Sequence, residues 1–70
     1  MPLSLVSMGE KRIVTSFNGT EEMKRHLQDL GFIKGQEVQV MSENSGGMIL
    51  LIKGVRIALN RGLAQRIMVS

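Results

Sequence analysis

A chain of 70 residues with 43% hydrophobic residues and no cysteine reads as one small domain, residues 1–70, that buries only about 60% of its unfolded-state surface. Disulfides and thiolate metal sites are excluded, and the longest apolar run, Met48 to Ile52, is far too short to cross a bilayer. A formal net charge of +3 and a pI of about 10.0 favour acidic partners without naming one.

The start of the chain holds Leu3, Leu5, Val6 and Met8 ahead of a turn at Gly9-Glu10. This segment is expected to lie across one end of the fold as an anchor. It lacks the basic-then-apolar layout of a signal peptide, so the expected location is the cytosol. Lys11 to Phe17 is rich in β-branched residues and reads as a strand. Strict alternation would put Ile13, Thr15 and Phe17 on one face and Val14 and Ser16 on the other.

The next stretch is the most informative. From Thr20 on, Met23, Leu27 and Leu30 fall four and three residues apart and share one helical face. Glu21, Glu22, Lys24, Arg25, Gln28 and Asp29 take the opposite face, with Glu21 placed to pair with Arg25. Asn18 or Thr20 can cap the first turn, and the two glutamates suit the positive end of the helix dipole. Gly31 stands where a left-handed residue ends a helix, with Phe32 positioned to fold back on Leu27. A turn at Lys34-Gly35 follows, and then Val38 and Val40 alternate with Glu37 and Gln39 at strand period.

Ser42 to Gly47 is a polar loop expected to be flexible. Met48 to Lys53 is the next strand, and Gly54-Val55 suggests a two-residue hairpin with glycine first, as a type II′ turn requires. That register pairs Lys53 with Arg56, Ile52 with Ile57, Leu51 with Ala58 and Leu50 with Leu59. Leu50, Ile52, Ile57 and Leu59 then share one face, and Ile49, Leu51 and Ala58 the other. One face fills the core. The second is covered by Met23 and Leu27, by the N-terminal segment, or by another protein. Asn60-Arg61-Gly62 ends the strand, Leu63 and Ala64 turn inward, and Arg66 to Val69 is a last short strand. Five short strands with tight turns point to a small β-barrel.

The run Leu27 to Val40, L-x-x-L-G-F-x-x-G-x-x-V-x-V, resembles the signature of FeoA proteins, accessories of ferrous-iron uptake. Its motif positions are Leu27, Leu30, Gly31, Phe32 and Gly35. Further likeness lies in Pro2-Leu3-Ser4 with Gly9, in Gly54 with Ile57-Ala58-Leu59, and in Ala64 with Ile67 and Val69. The resemblance implies a mainly β fold: an SH3-like barrel of about five strands, with one short helix inserted between the first two. It also implies a transition-metal context, a cytoplasmic location, and contact with the membrane permease FeoB through its cytoplasmic GTP-binding domain. Related modules end iron-dependent transcriptional repressors, so a metal-sensing regulatory module is an alternative implication.

The residues themselves offer little catalysis. With one histidine, His26, one aspartate, Asp29, and no cysteine, a nucleophile with base and orienting group cannot be assembled. No phosphate-binding glycine motif occurs. A non-enzymatic module without a cofactor is expected. For a divalent transition metal, Glu22, His26 and Asp29 are weak candidates, because nitrogen and oxygen donors recur along one helix. Lys53, Arg56, Arg61 and Arg66 could form a patch for nucleic acid, a second alternative. Phe17 and Phe32, the only aromatics, are better explained by core packing than by base stacking. The remaining candidate is a partner surface of Ile49 and Leu51 rimmed by Lys53 and Arg56, and self-association is a further option for it.

Overall fold

The computed structural model describes all 70 residues. In chain order they form a 3-10 turn at Leu3–Leu5, strand β1 Lys11–Phe17, helix α1 Glu21–Asp29 and strands β2 Glu37–Glu43, β3 Gly47–Ile52 and β4 Val55–Asn60. A four-residue helix, α2 Arg61–Ala64, precedes the last strand, β5 Ile67–Val69. The strands pair antiparallel in one sheet with the order β4-β3-β2-β1-β5. The helix therefore sits between the first two strands, as the sequence pattern leads one to expect. No helix is long and apolar enough to cross a membrane.

The sheet curls around a core that includes Val14, Leu27, Phe32, Val38, Val40, Leu50 and Ile67. β4 and β5 do not pair. α2 packs against β3, β4 and the Leu3–Leu5 turn, and that turn packs against β5. Leu3 and Val6 are fully buried while Leu5 and Met8 are exposed, so the N-terminal segment anchors through two of its four apolar residues.

Helix α1 forms for the reasons its sequence suggests. Thr20 is the N-cap, its hydroxyl accepting the Met23 amide at 3.2 Å. Leu27 is fully buried, and Met23 and Leu30 pack against the core. Glu21 pairs with Lys24 at 3.5 Å instead of Arg25. At the C-terminus Gly31 has φ +109°, the Phe32 amide donates to the Leu27 carbonyl at 3.0 Å and the Gly31 amide to Gln28 at 3.0 Å. These two bonds are the Schellman pattern. The chain then turns at Ile33–Gln36, with Gly35 at φ +90°, and enters β2.

Two bulges break the simple alternation. Val14 faces Val69 and Ser16 faces Met68, leaving Thr15 as the extra residue. Its hydroxyl donates to the Met68 carbonyl at 3.2 Å. The offset lets Val14 and Phe17 both reach the core, so the alternating assignment for this strand fails at Thr15. The second bulge lies at Met41, between the pairs Val40–Leu50 and Ser42–Ile49.

The hairpin register also differs from the expected one. Ile52 pairs with Val55, Leu51 with Arg56, Leu50 with Ile57 and Ile49 with Ala58. The turn residues are Lys53 and Gly54, at φ +52° and +79°. Positive φ at both is the type I′ requirement, whose twist matches the flanking strands. Sliding the register by two residues keeps every side chain on its own face, so the division into faces survives the correction. The polar loop is ordered by Asn44, whose side-chain oxygen accepts the Gly46 and Gly47 amides at 2.8 and 3.0 Å.

Candidate partner-docking surface

The inward face of β3 and β4 supplies Met48, Leu50, Ile52, Ile57 and Leu59 to the core. The outward face carries Ile49, Leu51, Arg56 and Ala58 in direct cross-strand pairs. Continuing laterally, Leu51 faces Gln39 on β2, and Gln39 faces Lys11 on β1. One row across four strands therefore reads Arg56, Leu51, Gln39, Lys11. It puts a half-buried leucine beside a cation in the strand plane.

The neighbouring row widens the apolar part. Met41, Ser42, Ile49, Arg56 and Ala58 line an open groove of about 540 Å³. Alternation from Val38 and Val40 already directs Met41 outward with Gln39, but the expected strand stopped at Val40; the bulge brings Ser42 to the same face, opposite Ile49. The helix does not cover this face: Leu27 lies in the core, and Met23 and Leu30 pack onto the same cluster. Lys53 sits at the hairpin tip beside these rows.

Charge on the surface is unevenly engaged. Arg12, Lys24 and Arg61 each pair with a carboxylate, whereas Lys11, Lys53 and Arg56 do not. The Glu10 carboxyl is held more acidic than usual. Its pKa is lowered from the ordinary 4.5, chiefly by the Ser7 backbone amide that it accepts; desolvation opposes this as the next largest effect, and the charge and hydrogen bond of the Arg12 guanidinium lower it further. Glu10 thereby holds the Ser7–Glu10 turn and occupies Arg12, at 3.0 Å in each case.

The four-cation patch of Lys53, Arg56, Arg61 and Arg66 is not what the structure builds. Arg61 turns onto the fold, donating to the carbonyls of Ser4 at 3.3 Å and Asn44 at 2.7 Å with Glu43 3.7 Å away. It joins the N-terminal turn, the β2–β3 loop and α2. Asn60 caps α2 by accepting the Leu63 amide at 2.8 Å. An asparagine before Arg61 was the available sequence signal for that short helix.

The metal candidates do not converge either. Glu22 and His26 flank a surface depression with Thr20, Met23 and Leu63, and Asp29 lies outside it. No three histidine or carboxylate side chains come together. A pair of donors does not fit a closed divalent-metal site. The signature residues have structural positions: Leu27 and Phe32 in the core, Leu30 against it, and Gly31 and Gly35 at positive-φ turns.

This architecture, with its single helix between the first two of five antiparallel strands, defines a small SH3-like β domain. The chain belongs to the FeoA domain family, which matches residues 1–70. A protein of Methanocaldococcus jannaschii proposed to be Fe(2+) transport protein A is 34% identical over 69 residues, covering 99% of this chain and 84% of that protein. The crystal structure of an iron uptake regulatory protein, FeoA, superposes with a TM-score of 0.90 at 38% identity, over 99% of this chain and 92% of that one. FeoA of Stenotrophomonas maltophilia, described as a prokaryotic SH3 domain protein and crystallised with zinc, gives 0.86 at 26% identity over 100% and 89%. The fold also recurs in a manganese-dependent transcriptional repressor, at 19% identity and a TM-score of 0.89 over 99% of this chain and 40% of that one; that likeness concerns the fold alone.

Proposed function

We propose that this FeoA-family domain is a non-enzymatic cytoplasmic adaptor or regulator of ferrous-iron uptake. It docks on the cytoplasmic GTP-binding domain of the FeoB permease through the outward face of β3 and β4. The observation that carries this reading is the Leu51–Arg56 cross-strand pair, set on a face that no helix covers. Ile49, Leu51 and Met41 supply apolar area whose removal from water drives association. Lys53, Arg56 and Lys11 around them steer an acidic partner and set its orientation.

A protein partner suits this surface better than a nucleic acid. Single-strand binding uses aromatic platforms beside the cations, and here Phe32 is buried and Phe17 packs on the core. Arg61, which a basic patch would need, is committed to two backbone carbonyls and Glu43.

Calorimetry with the purified GTP-binding domain tests the reading. Saturable binding that weakens as salt rises is the expected result. Absence of heat and of co-elution at tens of micromolar, on the order of a weak transient complex, would remove FeoB docking from consideration.

A further inference from the structure

The two edges of the sheet are treated differently. At β5 the edge is three residues long and is covered by the chain start. The Met1 amino group donates to the Val69 carbonyl at 3.0 Å, the Val69 amide returns to Met1 at 2.7 Å, and Pro2 bridges to Met68. β4 ends the sheet on the other side, six residues long and paired with β3 in one unbroken register from Gly47–Asn60 to Ile52–Val55.

In an antiparallel pair, alternate residues turn their backbone groups toward the partner strand. The Arg61 amide, bonded to the Gly46 carbonyl at 3.3 Å, sets the phase. Leu59, Ile57 and Val55 direct their N–H and C=O to β3, and Arg56 and Ala58 direct theirs away from it. No backbone bond elsewhere in the fold uses Arg56 or Ala58. Sheet edges are ordinarily blunted by lysine, proline, bulges or a covering segment. β4 has no proline, lysine or bulge within it, and only Arg56 carries charge.

We propose that the β4 edge receives an extended, acidic segment of the docking partner as a sixth strand. This deepens the docking reading above and rests on it. The N–H and C=O of Arg56 and Ala58 supply the ladder bonds. On the outward face, a carboxylate of the added strand stands opposite Arg56, and an aliphatic side chain two residues along lies against Ala58, Ile49 and Met41. Strand addition of this kind draws affinity from the main chain and selectivity from alternate side chains. The charge selects the occupant: β4 and its turn carry Arg56 and Lys53 without a carboxylate partner, so a second copy would bring like charges to the same edge.

Amide hydrogen exchange on the wild-type protein, with and without the FeoB GTP-binding domain, reads the two amides directly. Arg56 and Ala58 are expected to slow about tenfold or more in the complex, as new ladder bonds require. Ala58→Pro, which deletes an amide that β3 does not use, should weaken binding about tenfold or more. Binding that leaves both amides unprotected overturns strand addition while leaving FeoB docking intact. If the wild type does not bind that domain, both readings fall. Protection that grows with protein concentration alone, together with dimer in sedimentation, assigns the edge to a second copy and overturns the acidic occupant. The exchange measurement holds even if Ala58→Pro does not fold.

Discussion

The Phe32 amide donates to the carbonyl of Leu27 at 3.0 Å, which fastens the residue after the helix stop to the last turn of α1. Both side chains are fully buried in the same core, so this one bond fixes the angle at which the chain leaves the helix. Gly31 between them is held at φ +109°. An added Cβ there would meet only Ile52 Cγ2, at 3.8 Å, so space is available and the backbone conformation is the obstacle. Gly31→Ala should therefore lower stability by about 1 kcal/mol. Chemical denaturation measures it, and an unchanged midpoint would contradict the Schellman ending.

That corner was legible because every signal is local: the cap, the apolar spacing and the glycine lie within thirteen residues. Non-local features were not legible in the same way. Thr15 becomes a bulge because β5 accepts its hydroxyl at the Met68 carbonyl, a contact between distant parts of the chain. Lys53 reads as a strand residue from sequence because Gly54 suits the first position of a type II′ turn. Its φ of +52° is chosen by the match between turn twist and strand twist, which no residue type at that position announces. The outer face was still identified, since a two-residue slip preserves side-chain parity. Arg61 looked like a solvent cation for the same reason that hid Thr15: its carbonyl acceptors, Ser4 and Asn44, are far away in sequence.

Arg61 leads to a second prediction. Its guanidinium spans two carbonyls on separate segments, a geometry suited to a planar fork and unsuited to a single ammonium. Arg61→Met should cost about 1–2 kcal/mol, discounted for its partial exposure. Arg61→Lys should recover less than half of that loss, because one amine cannot serve both acceptors. Urea midpoints of the three proteins make the comparison. Full rescue by lysine would mean that only the charge near Glu43 counts.

A third concerns pH. Because the folded-state pKa of Glu10 is lowered, its stabilising effect is present above the ordinary value of 4.5 and disappears as pH falls below that value through the folded pKa. Wild type and Glu10→Gln should differ in denaturation midpoint near neutrality and converge in the acid range below 4.5. The Ser7 amide is the leading cause and Arg12 the lesser one, so Arg12→Ala should keep part of the difference. A gap between wild type and Glu10→Gln that persists unchanged at low pH would assign the stabilisation to something other than the ionised carboxylate.

The last prediction separates interface from core. Leu51 points outward, half-buried, between Arg56 and Gln39, whereas its neighbours Leu50 and Ile52 are buried. A carboxylate at position 51 keeps access to water and gains a cation beside it, so Leu51→Glu should leave the domain folded by circular dichroism. Leu50→Glu should unfold it, since an unpaired charge in the core costs several kcal/mol. If Leu51 is the apolar centre of the docking surface, Leu51→Glu should abolish capture of the FeoB GTP-binding domain. Lys53→Ala combined with Arg56→Ala should instead slow association several-fold and flatten its salt dependence, leaving dissociation less affected. A folded Leu51→Glu protein that binds at full strength would move the interface off this face. An unfolded one would place Leu51 in the core, against the register that sets it beside Arg56.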